Sequence, residues 1–296
     1  MSARLTCTFF VLAMACVPGV ARAQAKNILY IGNSFTLNED VPGLVARVAS
    51  SAGKQWPTYT TSLQPAMDFD YHIDRLSGPD YWKVQNRKYD FVVLQGLSTE
   101  PTRIGDPADY RRDAVKLAQM VRYGGSPNAV AIVEQTWAHH PNNRELYPSR
   151  IPNAWAMNDD LVANAYAAKF DINWAGLPAR VALAGDAFRA LGFPANLYQS
   201  YDWKHPSTRG GVVAALSLYA TMYNDTVSDI PYNSTRWWTA PIGIDAAAWQ
   251  QLTRAVDQRQ FGWSFAMATV PEPTALLAAV ACAFAMIRRA KRASVV

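Results

Sequence analysis

Two short segments of this 296-residue chain hold the residue types that acyl transfer requires. Late in the sequence, Asp202-Trp203-Lys204-His205-Pro206-Ser207 places a carboxylate and an imidazole three residues apart, just ahead of an apolar helical run. Far upstream, the apolar run 27–31 delivers Gly32-Asn33-Ser34-Phe35-Thr36. A hydroxyl nucleophile, a base to take its proton and an acid to orient the base make a complete set. Each segment alone is weak. A serine after a strand is as often an N-cap or turn residue, a lone histidine is more often structural, and an aspartate here can simply make a turn. The pair, in the order Ser, Asp, His, is what points to hydrolysis. It is not the G-x-S-x-G nucleophile elbow, because Thr36 stands where the second glycine belongs.

Such residues need a scaffold that brings them to one edge. Apolar strands at 27–32, 89–94, 129–133 and 180–183 alternate with helical patterns at 41–52, 68–76, 108–123, 159–170 and 244–257. A further helix is expected to open at Pro206. The strands are short and nearly all apolar, as befits strands buried on both faces. Repeated strand–helix units predict an α/β fold, a single three-layer α/β/α sandwich around a parallel sheet. Ligands on such sheets sit at the carboxyl ends of the strands, where Ser34, Gln95 and Glu134 emerge.

The two motifs together resemble those of the SGNH (GDSL-type) hydrolase superfamily. Its first block carries Ser after a Gly-Asp or Gly-Asn step, here Gly32-Asn33-Ser34, and its last block is D-x-x-H, here Asp202 to His205. The run Val92-Val93-Leu94-Gln95 is similar to that of a bacterial branch whose first block reads G-N-S-F-T. The resemblance implies a flavodoxin-like SGNH fold and a Ser-His-Asp acyl-enzyme mechanism. Ser34 would attack an ester carbonyl, His205 would shuttle the proton, and Asp202 would hold the imidazolium. An oxyanion hole is implied as well, built from the Ser34 N–H, a second-block glycine N–H and a third-block asparagine side chain. Here the chain departs from the pattern. Ala66, in Gln64-Pro65-Ala66-Met67, stands where the glycine is expected, and Ser98, in Gly96-Leu97-Ser98-Thr99, stands where the asparagine is expected. The Gln95 amide is the expected replacement donor, with Ser98 behind it. Glu134 and Trp137, after the third strand, are expected on the substrate rim, although a packing tryptophan fits Trp137 equally well. His72, His139 and His140 show no metal-ligand spacing, so no metal or other cofactor is expected.

Both ends read as addresses. Arg4, an apolar stretch and Ala21-Arg22-Ala23 predict a signal peptide over 1–23, and a lipobox at Cys16 lacks its usual leucine. Residues 24–262 would form the hydrolase-like domain and 263–296 a linker and sorting segment. Val270-Pro271-Glu272-Pro273, an apolar run over 274–287 and a terminal Arg288, Arg289, Lys291, Arg292 cluster resemble a PEP-CTERM signal. That resemblance implies export across the inner membrane, a transient membrane anchor, processing by an exosortase-type enzyme and a setting among exopolysaccharides. A plain C-terminal membrane anchor is the alternative. Of the 28 Lys+Arg and 23 Asp+Glu, six basic and one acidic residue lie in these ends, leaving equal numbers in the body. The sequence pI of about 9.1 is therefore no argument for a nucleic-acid partner. All three cysteines, Cys7, Cys16 and Cys282, also lie in the ends, so the body has no disulfide. The expected activity is hydrolysis of O-acyl, above all acetyl, esters on a carbohydrate or another small ester. A surface carbohydrate-binding or structural protein on the same fold, or an O-acyltransferase, is the alternative.

Overall fold

The computed structural model describes residues 24–262. The expected signal peptide, lipobox, sorting signal and anchor lie outside these residues. Among the described residues no helix is long and apolar enough to cross a membrane.

Five parallel strands form one sheet in the order β2-β1-β3-β4-β5. They are β1 (Asn27–Gly32), β2 (Thr58–Leu63), β3 (Phe91–Leu94), β4 (Val130–Glu134) and β5 (Ala179–Ala182). Side chains alternate across the sheet and so feed two cores. Ile28, Tyr30, Val93 and Ile132 pack with helices α2 (Val41–Ser51), α7 (Thr208–Tyr223) and α9 (Ala246–Gln260). Leu29, Ile31, Val92, Leu94 and Val133 pack on the other face, with α3 (Phe69–Ser77), α4 (Pro107–Gly124) and the second half of α5 (Ala154–Trp174). The result is the three-layer α/β/α sandwich that the strand–helix alternation predicts.

Four of the five strands coincide with the apolar runs. The fifth, β2, is Thr-Tyr-Thr-Thr-Ser-Leu with only Ser62 buried, so hydropathy does not mark it. Its β-branched threonines suit an edge strand that needs only one neighbour. At the opposite edge, α9 blunts β5. Gln260 Nε2 donates to the Val181 carbonyl at 3.0 Å, and its Oε1 accepts from the Leu183 N–H at 3.1 Å.

Helix starts follow their caps rather than the apolar spacing. Asn153 accepts from the Ala156 N–H at 2.9 Å and starts α5 ahead of the expected position. Ser207 accepts from the Gly210 N–H at 3.2 Å and caps α7. Pro206 therefore sits just before the helix, bridged to Tyr198, and not in its first turn. Three short helices fall outside the periodic patterns: α1 (Ser34–Leu37), α6 (Ala184–Ala190) and α8 (Tyr232–Thr239).

Candidate active site

Ser34 is the first residue of α1, two positions beyond the end of β1. The turn between them is built by Asn33 and Gln95. Asn33 Oδ1 accepts from the Phe35 N–H at 3.2 Å, and its Nδ2 donates to the carbonyls of Met67 (3.1 Å) and Gly96 (3.3 Å). Gln95 Oε1 accepts from the Asn33 N–H at 2.8 Å and from the Thr36 hydroxyl at 3.0 Å. This fit depends on Gly32, since a Cβ there would lie 2.7 Å from Gln95 Oε1. Three strand exits are thus tied together behind the serine.

Across 171 positions of sequence, Ser34 Oγ meets His205 Nε2 at 2.8 Å. On the far side of the ring, His205 Nδ1 is hydrogen-bonded to Asp202 Oδ2. The other carboxylate oxygen, Oδ1, accepts the N–H groups of Lys204 and His205, both at 3.1 Å. Burial alone would raise the Asp202 carboxyl, but the hydrogen bond from His205 and those from the two backbone N–H groups hold it below the usual carboxylate value. Asp202 therefore stays ionised against the imidazole. All three side chains are partly open to solvent. A hydroxyl, a base and an oriented acid stand in one line, the arrangement that serine acyl transfer uses.

The segment after β4 holds this line in place, a role the sequence does not announce. Three consecutive carbonyls of the Asp202 turn are each gripped. Asn143 Nδ2 donates to Asp202 O at 3.1 Å, the His140 N–H donates to Trp203 O at 2.8 Å, and Trp137 Nε1 donates to Lys204 O at 3.0 Å. Trp203 occupies the left-handed region (φ 58°) and its ring stacks on His140 at 4.5 Å.

Several expected site residues lie elsewhere. Trp137 is fully buried, sandwiched between Phe35 at 4.9 Å and Phe188 at 4.7 Å, so it packs beneath the site and not on a substrate rim. Gln95 is engaged in building the turn before Ser34, with its Oε1 taken as described and one hydrogen of its Nε2 donated to the Gly96 carbonyl. Ala66 does stand in the second-block turn, tied to Asn33 through Met67. It adopts φ 61°, the left-handed region where glycine is favoured. Neither its N–H nor that of Ser34 has a protein acceptor among the described residues. Ser98 faces His139, with Ser98 Oγ and His139 Nε2 3.2 Å apart.

Glu134 is also misplaced by the rim expectation. It is 2% exposed and its Oε2 has no hydrogen-bond partner. It ends β4 on the same face as Ile132, which turns it into the core beneath α7. Burial pushes its carboxyl up from 4.5 to about 8. Between those values the folded protein keeps a proton that the unfolded chain has released. The stability contributed by protonated Glu134 is thus complete below about 4.5 and lost as pH rises through about 8. Glu134→Gln, which mimics the protonated acid, should melt like the parent at pH 4.5 and be more stable at pH 9 by ~4 kcal/mol. A gain of equal size at both pH values would show that no proton is held there.

Comparison with solved structures places this geometry in context. A candidate SGNH hydrolase from Slackia heliotrinireducens superposes with TM-score 0.56 at 23% identity, covering 67% of this chain and 100% of that one. The fold is that of the SGNH hydrolases. A DUF4886 family protein from Bacteroides uniformis gives TM-score 0.63 at 17% identity, covering 81% of this chain and 96% of its own. A variant of Axe2, an acetyl-xylooligosaccharide esterase from Geobacillus, gives 0.50 at 13% identity, covering 68% and 96%. No protein-family model and no curated protein matches the chain. Within the SGNH hydrolase fold, Ser34 follows β1 and the Asp202–His205 turn precedes α7, so both halves of the line rise at the carboxyl edge of the sheet.

Proposed function

We propose that the protein is a serine hydrolase of carboxylic esters. The observation that carries this reading is the unbroken hydrogen-bonded line from Ser34 Oγ through His205 to Asp202. Ser34 Oγ adds to the ester carbonyl while His205 Nε2 takes its proton, and Asp202 stabilises the imidazolium. The carbonyl electron pair moves onto oxygen, where the Ser34 and Ala66 N–H groups receive it. Collapse expels the alcohol, which takes its proton from His205 and leaves the acyl group on Ser34. Water, deprotonated by the same imidazole, then adds to the acyl carbon, and collapse releases the acid and Ser34 Oγ, which recovers its proton from His205.

O-acetyl groups on an extracellular carbohydrate are the substrate we favour. Support comes from the similarity in fold to Axe2, an acetyl-xylooligosaccharide esterase, and from the resemblance of the C-terminal segment to a PEP-CTERM signal. Export, a transient membrane anchor and processing by an exosortase-type enzyme belong to the same proposal.

A fluorophosphonate probe tests both parts when applied to fractionated cells expressing the full chain. Covalent labelling at Ser34, absent from Ser34→Ala and found in the envelope or medium, is the expected result. A folded protein that resists the probe would instead be a binding or structural relative of these enzymes. Labelling confined to the cytoplasm would remove the export part alone.

A further inference from the structure

His205 has two aromatic neighbours, one inner and one outer. Phe35 is buried and lies 5.4 Å away, ring to ring. Tyr201 is 72% exposed and lies 6.4 Å away, with the ring planes inclined by 31°. Among the described residues it is the one exposed aromatic side chain with a ring contact to the catalytic line. The loop that carries it is fixed. Tyr198 and Pro206 bridge its base, the Gln199 N–H donates to the His205 carbonyl at 2.9 Å, and the Trp203 N–H donates to the Gln199 carbonyl at 3.0 Å. Holding a large ring in water on a fixed loop forgoes the gain of burying it.

A carboxylate stands beside this ring. Glu39 follows α1, and its Oε1 accepts from Gln199 Nε2 at 3.1 Å, while its Oε2 has no partner among the described residues. Gly211 lets its stem approach α7, since a Cβ there would lie 2.7 Å from Glu39 Cβ. Slight burial, then the charges of Asp202 and Glu39, raise the Tyr201 phenol, so both carboxylates lie near it. The reaction decides which part of an ester reaches this place. The leaving alcohol takes its proton from His205 Nε2, so its oxygen comes within hydrogen-bond reach of that nitrogen. The group it bears then lies beside His205 on the solvent side, while the carbonyl faces Ser34 and Ala66. An apolar face next to a free acceptor suits a sugar ring, whose C–H groups cover the aromatic face and whose hydroxyls donate to the carboxylate. An alkyl alcohol would leave Glu39 unused, and an anionic one would be repelled by Glu39 and Asp202.

We propose that Tyr201 and Glu39 form the alcohol-side subsite of the active site and take the neutral sugar ring that carries the ester. The proposal rests on the serine hydrolase reading and names the side chains that select the alcohol. Tyr201 supplies the stacking face, Glu39 Oε2 accepts a sugar hydroxyl, and Gln199 holds Glu39 in position. Binding energy gathered here keeps the alcohol oxygen opposite His205 Nε2 and so enters kcat/KM. No bond is made or broken at either residue.

Two esters of one acid test the proposal, a singly O-acetylated methyl xyloside and ethyl acetate, with acetate release by the full chain as the readout. The parent should favour the sugar ester in kcat/KM by ~10²-fold. Tyr201→Ala should shrink that preference by about tenfold, and Tyr201→Trp, which keeps an aromatic face, should retain it. Glu39→Ala should shrink it by about tenfold through the lost hydroxyl contact. Equal losses on both esters in Tyr201→Ala would make the ring a support for His205 and overturn the subsite. A parent that favours ethyl acetate, or variants that keep the parent's preference, would overturn it as well. Should Tyr201→Ala fail to fold, Tyr201→Gln, which keeps bulk without a ring, asks the same question, and an unchanged preference there would again be fatal. Failure of the underlying reading looks different: the parent protein itself would neither label with fluorophosphonate nor release acetate from either ester.

Discussion

Alanine at Ser34, at His205 or at both should lower kcat toward p-nitrophenyl acetate by about the same factor, on the order of 10⁶. The reason is the 2.8 Å contact between Ser34 Oγ and His205 Nε2. Without the imidazole the hydroxyl is a poor nucleophile at neutral pH, and without the hydroxyl the imidazole has nothing to deprotonate. The second substitution therefore removes nothing that the first has left. Asp202→Asn should cost less, ~10⁴-fold. Asparagine keeps the shape, and its carbonyl can still accept the Lys204 and His205 N–H groups that Asp202 Oδ1 now accepts. Its NH2 would then face His205 Nδ1 and force the hydrogen to Nε2, where it blocks proton uptake from Ser34. Melting curves for each variant separate this from unfolding. Losses at Ser34 and His205 that multiply in the double variant would mean that the two residues act in separate steps, and the mechanism would be wrong.

How much of this was legible in the sequence follows from what each pattern reports. A run such as Phe91–Leu94 with every residue buried announces a central strand, because both of its faces need apolar cover. β2 carries no such signal, since an edge strand can leave one face to solvent and satisfy its backbone on one side. The catalytic line was legible because its parts are motifs, with Ser34 a fixed step after a strand and Asp202 a fixed step before His205. Glu134 and Trp137 lie at the expected places along the chain but in the core instead of on a rim. Position at a strand's carboxyl end says where the backbone emerges and leaves open which way the side chain turns. Glu134 pairs with Ala182 at the last register position of β4 and shares the face of Ile132, so the pleat sends it inward. The Gln95 amide, expected at the site, also builds the turn before Ser34, through the Asn33 N–H, the Thr36 hydroxyl and the Gly96 carbonyl. Ala66 shows the converse. The sequence names an alanine where glycine is expected, and only coordinates show that its backbone takes the left-handed region that glycine favours.

The burial of Trp137 leads to the second large effect. Its ring fills the space between Phe35 and Phe188, with interplanar angles of 6° and 7°, and its Nε1 holds the Lys204 carbonyl next to His205. Trp137→Ala should therefore destabilise the fold by ~3–5 kcal/mol, a fall in melting temperature of ~10 °C. It should also slow ester turnover below the melting transition, because Phe35 and the Asp202 turn lose their common support. Trp137→Phe separates the two contributions. It keeps most of the stacking and gives up the N–H, so its stability loss should be ~1 kcal/mol from the missing hydrogen bond, plus a smaller packing term. Its kcat should still fall, since Lys204 O is released while the aromatic layer survives. If Trp137→Ala melts well below the parent yet turns over ester at the parent rate, the tryptophan supports only the core. Asn143 and His140 would then suffice to hold the turn that carries Asp202 and His205.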